Sequence, residues 1–250
     1  MVRYLESYDR SEQKGLICIP SGNHDMDRLA RHVYGDNRKL AFAFLLTMPG
    51  APFIYYGDEI GMRYVEDIPS VEGGYGRTGS RSPMQWNTGV NAGFSSGAAE
   101  KLYIPIDPAS DRPTVEEQMK DENSLWHEIQ RLIEVRQTCK ALQSNGKITF
   151  LCDGGEGKPL AYVREAEDER ILVVINPRET AYDISMRDLR ISTQKGLAES
   201  NPGDRYCESD VTKIGECLYY FGNEPLCDAG VIKIAPKSAA FMKLLSIQVK

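Results

Sequence analysis

The chain has 250 residues, 41% hydrophobic and 26% charged, with a formal net charge of −6 at pH 7. That is the profile of a soluble globular protein with enough apolar material for one large domain or two ordinary ones. The acidic excess, with no basic stripe to offset it, excludes nucleic acid as a partner, and the longest apolar run, Leu40 to Ile54, is broken by Thr47, Pro49, Gly50 and Pro52 and so excludes a membrane span.

In chain order, the apolar run from Gly15 to Pro20 predicts a short buried strand. It ends in the small-residue turn Ser21-Gly22-Asn23-His24-Asp25, which presents an amide, an imidazole and a carboxylate together. After a break at Gly35-Asp36, Asn37 is placed to cap a helix over Arg38 to Met48, which Pro49-Gly50 stops. A second buried strand, Pro52 to Tyr56, follows and ends in Gly57-Asp58-Glu59. Strand, helix, strand in that order is one βαβ unit of a parallel sheet, and reactive groups of parallel α/β barrels stand at the C-terminal ends of strands.

From Gly61 to Pro113 there is little periodicity, but Tyr75, Trp86, Phe94 and Tyr103 argue for a long folded βα loop rather than disorder. Asn123-Ser124 then caps a helix whose Leu125, Ile129, Leu132, Ile133 and Arg136 recur at helical spacing through Lys140. Beyond Asn145-Gly146 the period becomes two. Short strands are predicted at Ile148–Cys152, Leu160–Arg164, Ile171–Ile175, Ala181–Ile184, Leu218–Phe221, Val231–Ile234 and Ala239–Leu244, separated by turn clusters such as Asn176-Pro177 and Asn201-Pro-Gly-Asp204. The expectation is two domains, an α/β part over 1–145 and an antiparallel all-β domain, sandwich or Greek key, over 146–250.

His24 and Asp25 at a strand end read either as a reactive pair or as a helix cap or satisfied buried pair. Asp58-Glu59 reads as a general acid/base doublet, or as a pair that caps the next element or binds an arginine. A metal-dependent hydrolase built on His24, Asp25, Asp58 and Glu59 is a third reading, but no second cluster has ligand spacing, so no metal is assigned. In Gly76-Arg-Thr-Gly-Ser-Arg81-Ser-Pro-Met-Gln-Trp86 two guanidinium groups and an indole fall close together. Sugars are held by aromatic stacking and fork-like donors, although an ordinary surface loop with one anchoring tryptophan has the same composition. The six cysteines (Cys18, Cys139, Cys152, Cys207, Cys217, Cys227) form no C-x-x-C pair, and nothing supports a bridge among the last three. Reduced, mostly buried thiols and a polar Met1-Val-Arg-Tyr-Leu-Glu start lead to the expectation of a cytoplasmic protein.

Three of these segments together resemble a known family. Ser21-Gly-Asn-His-Asp25 followed by Arg28 is similar to the fourth signature region of the α-amylase superfamily of glycoside hydrolases (family 13). Thr47-Met-Pro-Gly-Ala-Pro-Phe-Ile-Tyr-Tyr-Gly-Asp-Glu-Ile-Gly-Met62 resembles that family's last barrel strand, and Arg81-Ser-Pro-Met-Gln-Trp86 resembles a segment of its α-glucosidase branch. That branch includes oligo-1,6-glucosidases, sucrose-type isomerases and trehalose synthases. It usually has Asp after that tryptophan, where this chain has Asn87.

The resemblance implies the last two β/α units of a (β/α)8 TIM barrel followed by a C-terminal β-sandwich. It also implies an α-glucoside oligosaccharide as substrate, cleaved or transferred with retention, and no cofactor. Asp25 would be the transition-state-stabilising carboxylate, with His24 donating to the same hydroxyls. Asn23, Arg28, Arg81 and Trp86 would line the sugar site, Arg28 either bracing Asp25 or reaching into a subsite. Retaining glycosidases need a nucleophile and a general acid about 5–5.5 Å apart, and the family's motifs for both are absent here. The expectation is therefore an incomplete enzyme, inactive alone, whose helix over Arg38 to Met48 buries Phe42, Phe44, Leu45 and Leu46 poorly and whose bare barrel edges are covered by a complementing chain or by self-association. The alternative is a non-catalytic carbohydrate- or partner-binding protein.

Overall fold

The computed structural model describes residues 2–10, 14–68, 77–186 and 212–246. Tyr75, Cys207 and the Asn201–Asp204 turn cluster lie outside the described residues. The chain forms two compact units, Met1–Glu134 and Val135–Lys250.

In the first unit, helix α1 (Val2–Arg10) precedes strand β1 (Cys18–Pro20), helix α2 (Asn37–Thr47) and strand β2 (Ala51–Phe53). The strands are parallel, with Cys18 opposite Ala51, Ile19 opposite Pro52 and Pro20 opposite Phe53. Both strands are shorter than the apolar runs suggest. The ladder ends because backbone groups beyond it bond elsewhere: Tyr55 N–H donates to Ser21 Oγ at 3.0 Å, and Asp58 N–H turns back to Tyr55 O at 3.0 Å. Prolines at 20 and 52 also carry no N–H for the ladder. The expectation that α2 buries its apolar residues poorly is not met, since Phe42, Leu45 and Leu46 are all buried and only Phe44 is partly exposed. Apolar exposure is instead found along the strand pair, at Leu16 and Phe53.

The long loop is folded by local turns, with 3₁₀ turns at Thr78–Arg81, Val90–Gly93 and Ala99–Lys101. It is also stitched to itself. Buried Gln85 donates to Pro113 O at 2.6 Å, while Val115 and Glu116 N–H groups donate to Gln85 O and Trp86 O at 3.0 and 2.9 Å. Helix α3 (Val115–Lys120) follows, an element the periodicity did not suggest. It starts on a side-chain cap: Thr114 Oγ1 accepts from Glu117 N–H at 3.3 Å and donates to Glu117 Oε2 at 3.0 Å. Helix α4 (Leu125–Thr138) begins as expected at Ser124, whose hydroxyl accepts from His127 N–H at 3.3 Å.

The second unit is a β-sandwich. One sheet has five strands in the order β3 (Lys147–Asp153), β4 (Leu160–Ala166), β5 (Glu169–Asn176), β10 (Ser238–Ser246), β7 (Thr212–Phe221). The other has three, in the order β6 (Tyr182–Ser185), β9 (Val231–Ile234), β8 (Leu226–Asp228). All pairings in both sheets are antiparallel. Val163, Leu172, Val174, Ala240 and Met242 of the larger sheet pack with Ile184, Ile232 and Ile234 of the smaller, as alternation along each strand requires. Strand β8 was not predicted because its three residues are all exposed and carry no alternation.

The division between units falls before residue 145, inside α4. Residues 141–146 belong with the sandwich because side chains of the sandwich hold their backbone. Arg164, fully buried, donates to Gln143 O at 2.7 Å, Gly146 O at 3.1 Å and Lys147 O at 3.2 Å, and Glu169 Oε2 accepts Ala141 N–H at 2.8 Å. Such bonds leave no trace in periodicity. Burial pushes the thiols of Cys139 and Cys217 up, away from reactive thiolate. Among the described residues no helix is long and apolar enough to cross a membrane.

Candidate functional site

The end of β1 is built by Ser21. Its N–H donates to Phe53 O at 2.8 Å, its hydroxyl donates to Asp58 Oδ2 at 2.7 Å, and the same oxygen accepts Tyr55 N–H at 3.0 Å. The chain then turns on Asn23, whose Oδ1 accepts Asp25 N–H at 2.8 Å and whose carbonyl accepts Met26 N–H at 3.3 Å. This Asx-type closure leaves the side chains of His24 and Asp25 exposed, His24 Nε2 and Asp25 Oδ2 3.5 Å apart.

The loop comes back to meet them. Tyr55 and Tyr56, just past β2, donate their hydroxyls to Ser80 O at 3.2 Å and Ser82 O at 2.8 Å, pinning the Thr78–Arg81 turn over the strand ends. From there Arg77 Nη1 and Arg81 Nη2 donate to Asp25 Oδ1 at 2.8 and 2.9 Å, while Arg81 Nε donates to His24 O at 2.9 Å. Arg81 also lines a cleft of about 420 Å³ with Tyr56, Glu59, Trp86, Phe94 and Tyr103. That volume is within the range of small-molecule sites, and the walls are aromatic rings with a guanidinium fork at one side.

The structure thus brings Asn23, His24, Asp25 and Arg81 together and places Trp86 in the adjoining cleft through Arg81. Arg28 is the correction. It neither braces Asp25 nor opens to a subsite; its side chain is 0% exposed, lies 3.5 Å from Asp58 Oδ1 and donates to Tyr56 O at 2.7 Å. Tyr55 and Tyr56 rings flank its guanidinium at 5.0 and 4.9 Å. Asp58 therefore takes the arginine-binding role weighed for it above. Burial raises its carboxyl above the usual carboxylate range, opposed by the Ser21 hydrogen bond and the Arg28 charge. Glu59 is raised by burial as well. The residue that sequence reading left out of the site is Arg77, whose only signal was its position in the arginine-rich turn. Among the described residues no three His, Cys, Asp or Glu side chains converge as a metal-ligand set.

The pattern that defines the alpha-amylase catalytic domain matches residues 3–145. The chain belongs to the alpha-amylase family. Relatives in this glycoside hydrolase family include the trehalose synthase of Thermus thermophilus, 37% identical over 60% of this chain and 15% of that protein. The glucan 1,6-alpha-glucosidase of Streptococcus pneumoniae is 30% identical over 66% of this chain and 36% of that protein. The oligo-1,6-glucosidase of Parageobacillus thermoglucosidasius is 28% identical, over 76% of this chain and 39% of that protein. Among solved structures, a variant of the trehalulose synthase MutB in complex with glucose superimposes with a TM-score of 0.73 at 22% identity, over 94% of this chain and 44% of that one. The chain thus spans less than half the length of these relatives. The likeness in structure carries the family's TIM-barrel fold class to this chain, alongside the antiparallel sheets described above.

Proposed function

We propose that residues 15–134 form the last two β/α units of a (β/α)8 barrel in a retaining α-glucosidase or α-glucosyl-transferring enzyme, and that the β1 end is one wall of its sugar site. The observation that carries this is the exposed Asp25 carboxylate at a parallel strand end, oriented by two guanidinium groups beside an aromatic cleft. In this reading Asp25 and His24 bond ring hydroxyls, an interaction that strengthens as the sugar flattens toward an oxocarbenium ion. Arg77 and Arg81 hold the carboxylate in line, and Trp86 stacks a neighbouring ring. Asp58 is tied to Arg28 and Ser21 and is unavailable as a nucleophile. The nucleophile and general acid belong to further barrel strands, so this chain by itself binds sugar without cleaving it. The exposed Leu16 and Phe53 beside the strand pair support further strands covering that sheet, from more of the same polypeptide or from another copy.

The test is titration of the purified chain with isomaltose or maltose, read by tryptophan fluorescence. Saturable quenching is expected, with Asp25→Asn weakening it about tenfold or more, since hydrogen bonds to a charged group contribute about 1.5–3 kcal/mol. Equal affinity in Asp25→Asn, or no response to any α-glucoside, would overturn the assignment. Turnover of an aryl α-glucoside by this chain would overturn the placement of the missing carboxylates elsewhere.

A further inference from the structure

We infer that Asp58 is the positioning residue of the site: through Ser21 and Arg28 it fixes where the His24–Asp25 turn stands. The segment 21–28 leaves β1 and returns to the same point, and both of its ends meet one buried carboxylate. Asp58 Oδ2 accepts the Ser21 hydroxyl at 2.7 Å, and Asp58 Oδ1 lies 3.5 Å from Arg28 Nη1. Ser21 in turn takes Tyr55 N–H, and Arg28 caps Tyr56 O, so each end is also tied to the exit of β2. Of the six residues between, His24, Asp25 and Met26 are the exposed part that projects.

Two features show that this junction is tight. A Cβ at Gly22 would stand 3.0 Å from Asp58 Oδ2, so any side chain there would force the carboxylate to give way by a few tenths of an ångström. Gly57, which sends the chain from β2 into Asp58, has φ of +85° and would bring a Cβ to 3.1 Å from Arg28 Nη1. Arg77, Arg81 and the buried Ser80 touch the projecting turn from the long loop, at His24 O and Asp25 Oδ1. They orient the carboxylate, whereas Asp58 locates the segment that bears it. The value of that placement for sugar binding rests on the function proposed above; the placement itself does not.

The experiment is residue-resolved hydrogen exchange on the full chain, comparing wild type with Asp58→Asn and with the milder Ser21→Ala. Loss of one charge-assisted bond predicts exchange about ten- to a hundredfold faster at Asp25, Met26 and Tyr55 amides. Amides of α2, such as Phe42, and of β5, such as Val173, are expected unchanged. Ser21→Thr, which keeps the hydroxyl, should restore protection. Unchanged exchange at Asp25 and Met26 in a folded Ser21→Ala variant would overturn the inference, as would equal acceleration throughout the first unit. Isomaltose titration of the same variants separates the two claims. Wild type that fails to bind sugar while its turn amides respond to Ser21→Ala defeats the function and leaves the positioning role supported.

Discussion

The two units of this chain are held by opposite means. The sandwich relies on apolar side chains facing each other between sheets, with β5 buried along its last six residues. The described strands of the first unit are three residues long, and its functional end is organised by polar groups, Ser21 with the buried Arg28 and Asp58. Apolar packing is non-directional and tolerates small shifts, whereas hydrogen bonds to a buried charge fix direction and distance. A binding turn needs the second kind of support, and the difference shows where precision is concentrated.

The largest effect should come from breaking the polar junction. Arg28→Ala leaves Asp58 buried without its counter-charge, which is expected to cost about 3–5 kcal/mol. Both tryptophans, Trp86 and Trp126, lie in the first unit, so a denaturant titration followed by fluorescence reads it directly. The loss should depend on pH in a definite sense. The Asp58 carboxyl is already raised, and removing Arg28 takes away a charge that lowers it. The folded carboxyl then takes up a proton at higher pH than the unfolded one. The cost is therefore full at neutral pH, shrinks as pH falls through the raised value, and is least below the ordinary carboxylate range. A pH-independent loss would mean that Arg28 acts by packing alone.

In the sandwich, Leu172→Ala opens a cavity between the sheets and is expected to cost about 3 kcal/mol, independent of pH and read by far-ultraviolet circular dichroism. An equal fluorescence shift at the same denaturant concentration would show that the units unfold as one and would blunt the contrast. The smallest effect belongs to the exposed cluster in which Asp27 bonds His32 at 2.9 Å and Arg31 at 2.7 Å. Those hydrogen bonds hold the Asp27 carboxyl below its usual value. It contributes stability above the ordinary carboxylate range, lost as pH falls through the lowered folded value. Solvent screening limits this to about 0.5 kcal/mol or less. The acid limb of an Asp27→Asn melting series checks it.

Much of the architecture was legible in the sequence because it follows from local rules. The helix over Arg38 to Met48, the Ser124 cap and, among the described residues, seven of the eight sandwich strands are readable from apolar period and turn residues. Helix α3 was also readable in principle from Thr114 as its N-cap, within a segment whose apolar period is silent. The end of β2 and the point inside α4 where the two units divide were not, because hydrogen bonds to Ser21 and from Arg164 hold those stretches. Those partners lie 34 and 18–21 residues away.

By itself the sequence determined that an amide, an imidazole and a carboxylate stand together at the end of an apolar strand, and that an arginine-rich turn with a tryptophan follows. Only the tertiary structure decided which charge meets which. Arg28, three residues from Asp25, is turned under the strand end to Asp58, while Arg77 and Arg81, 52 and 56 residues on, reach Asp25 instead. Chain proximity limits where a side chain can start. Backbone direction and burial decide where its charge ends, because a guanidinium lowered into the protein must find its partner there.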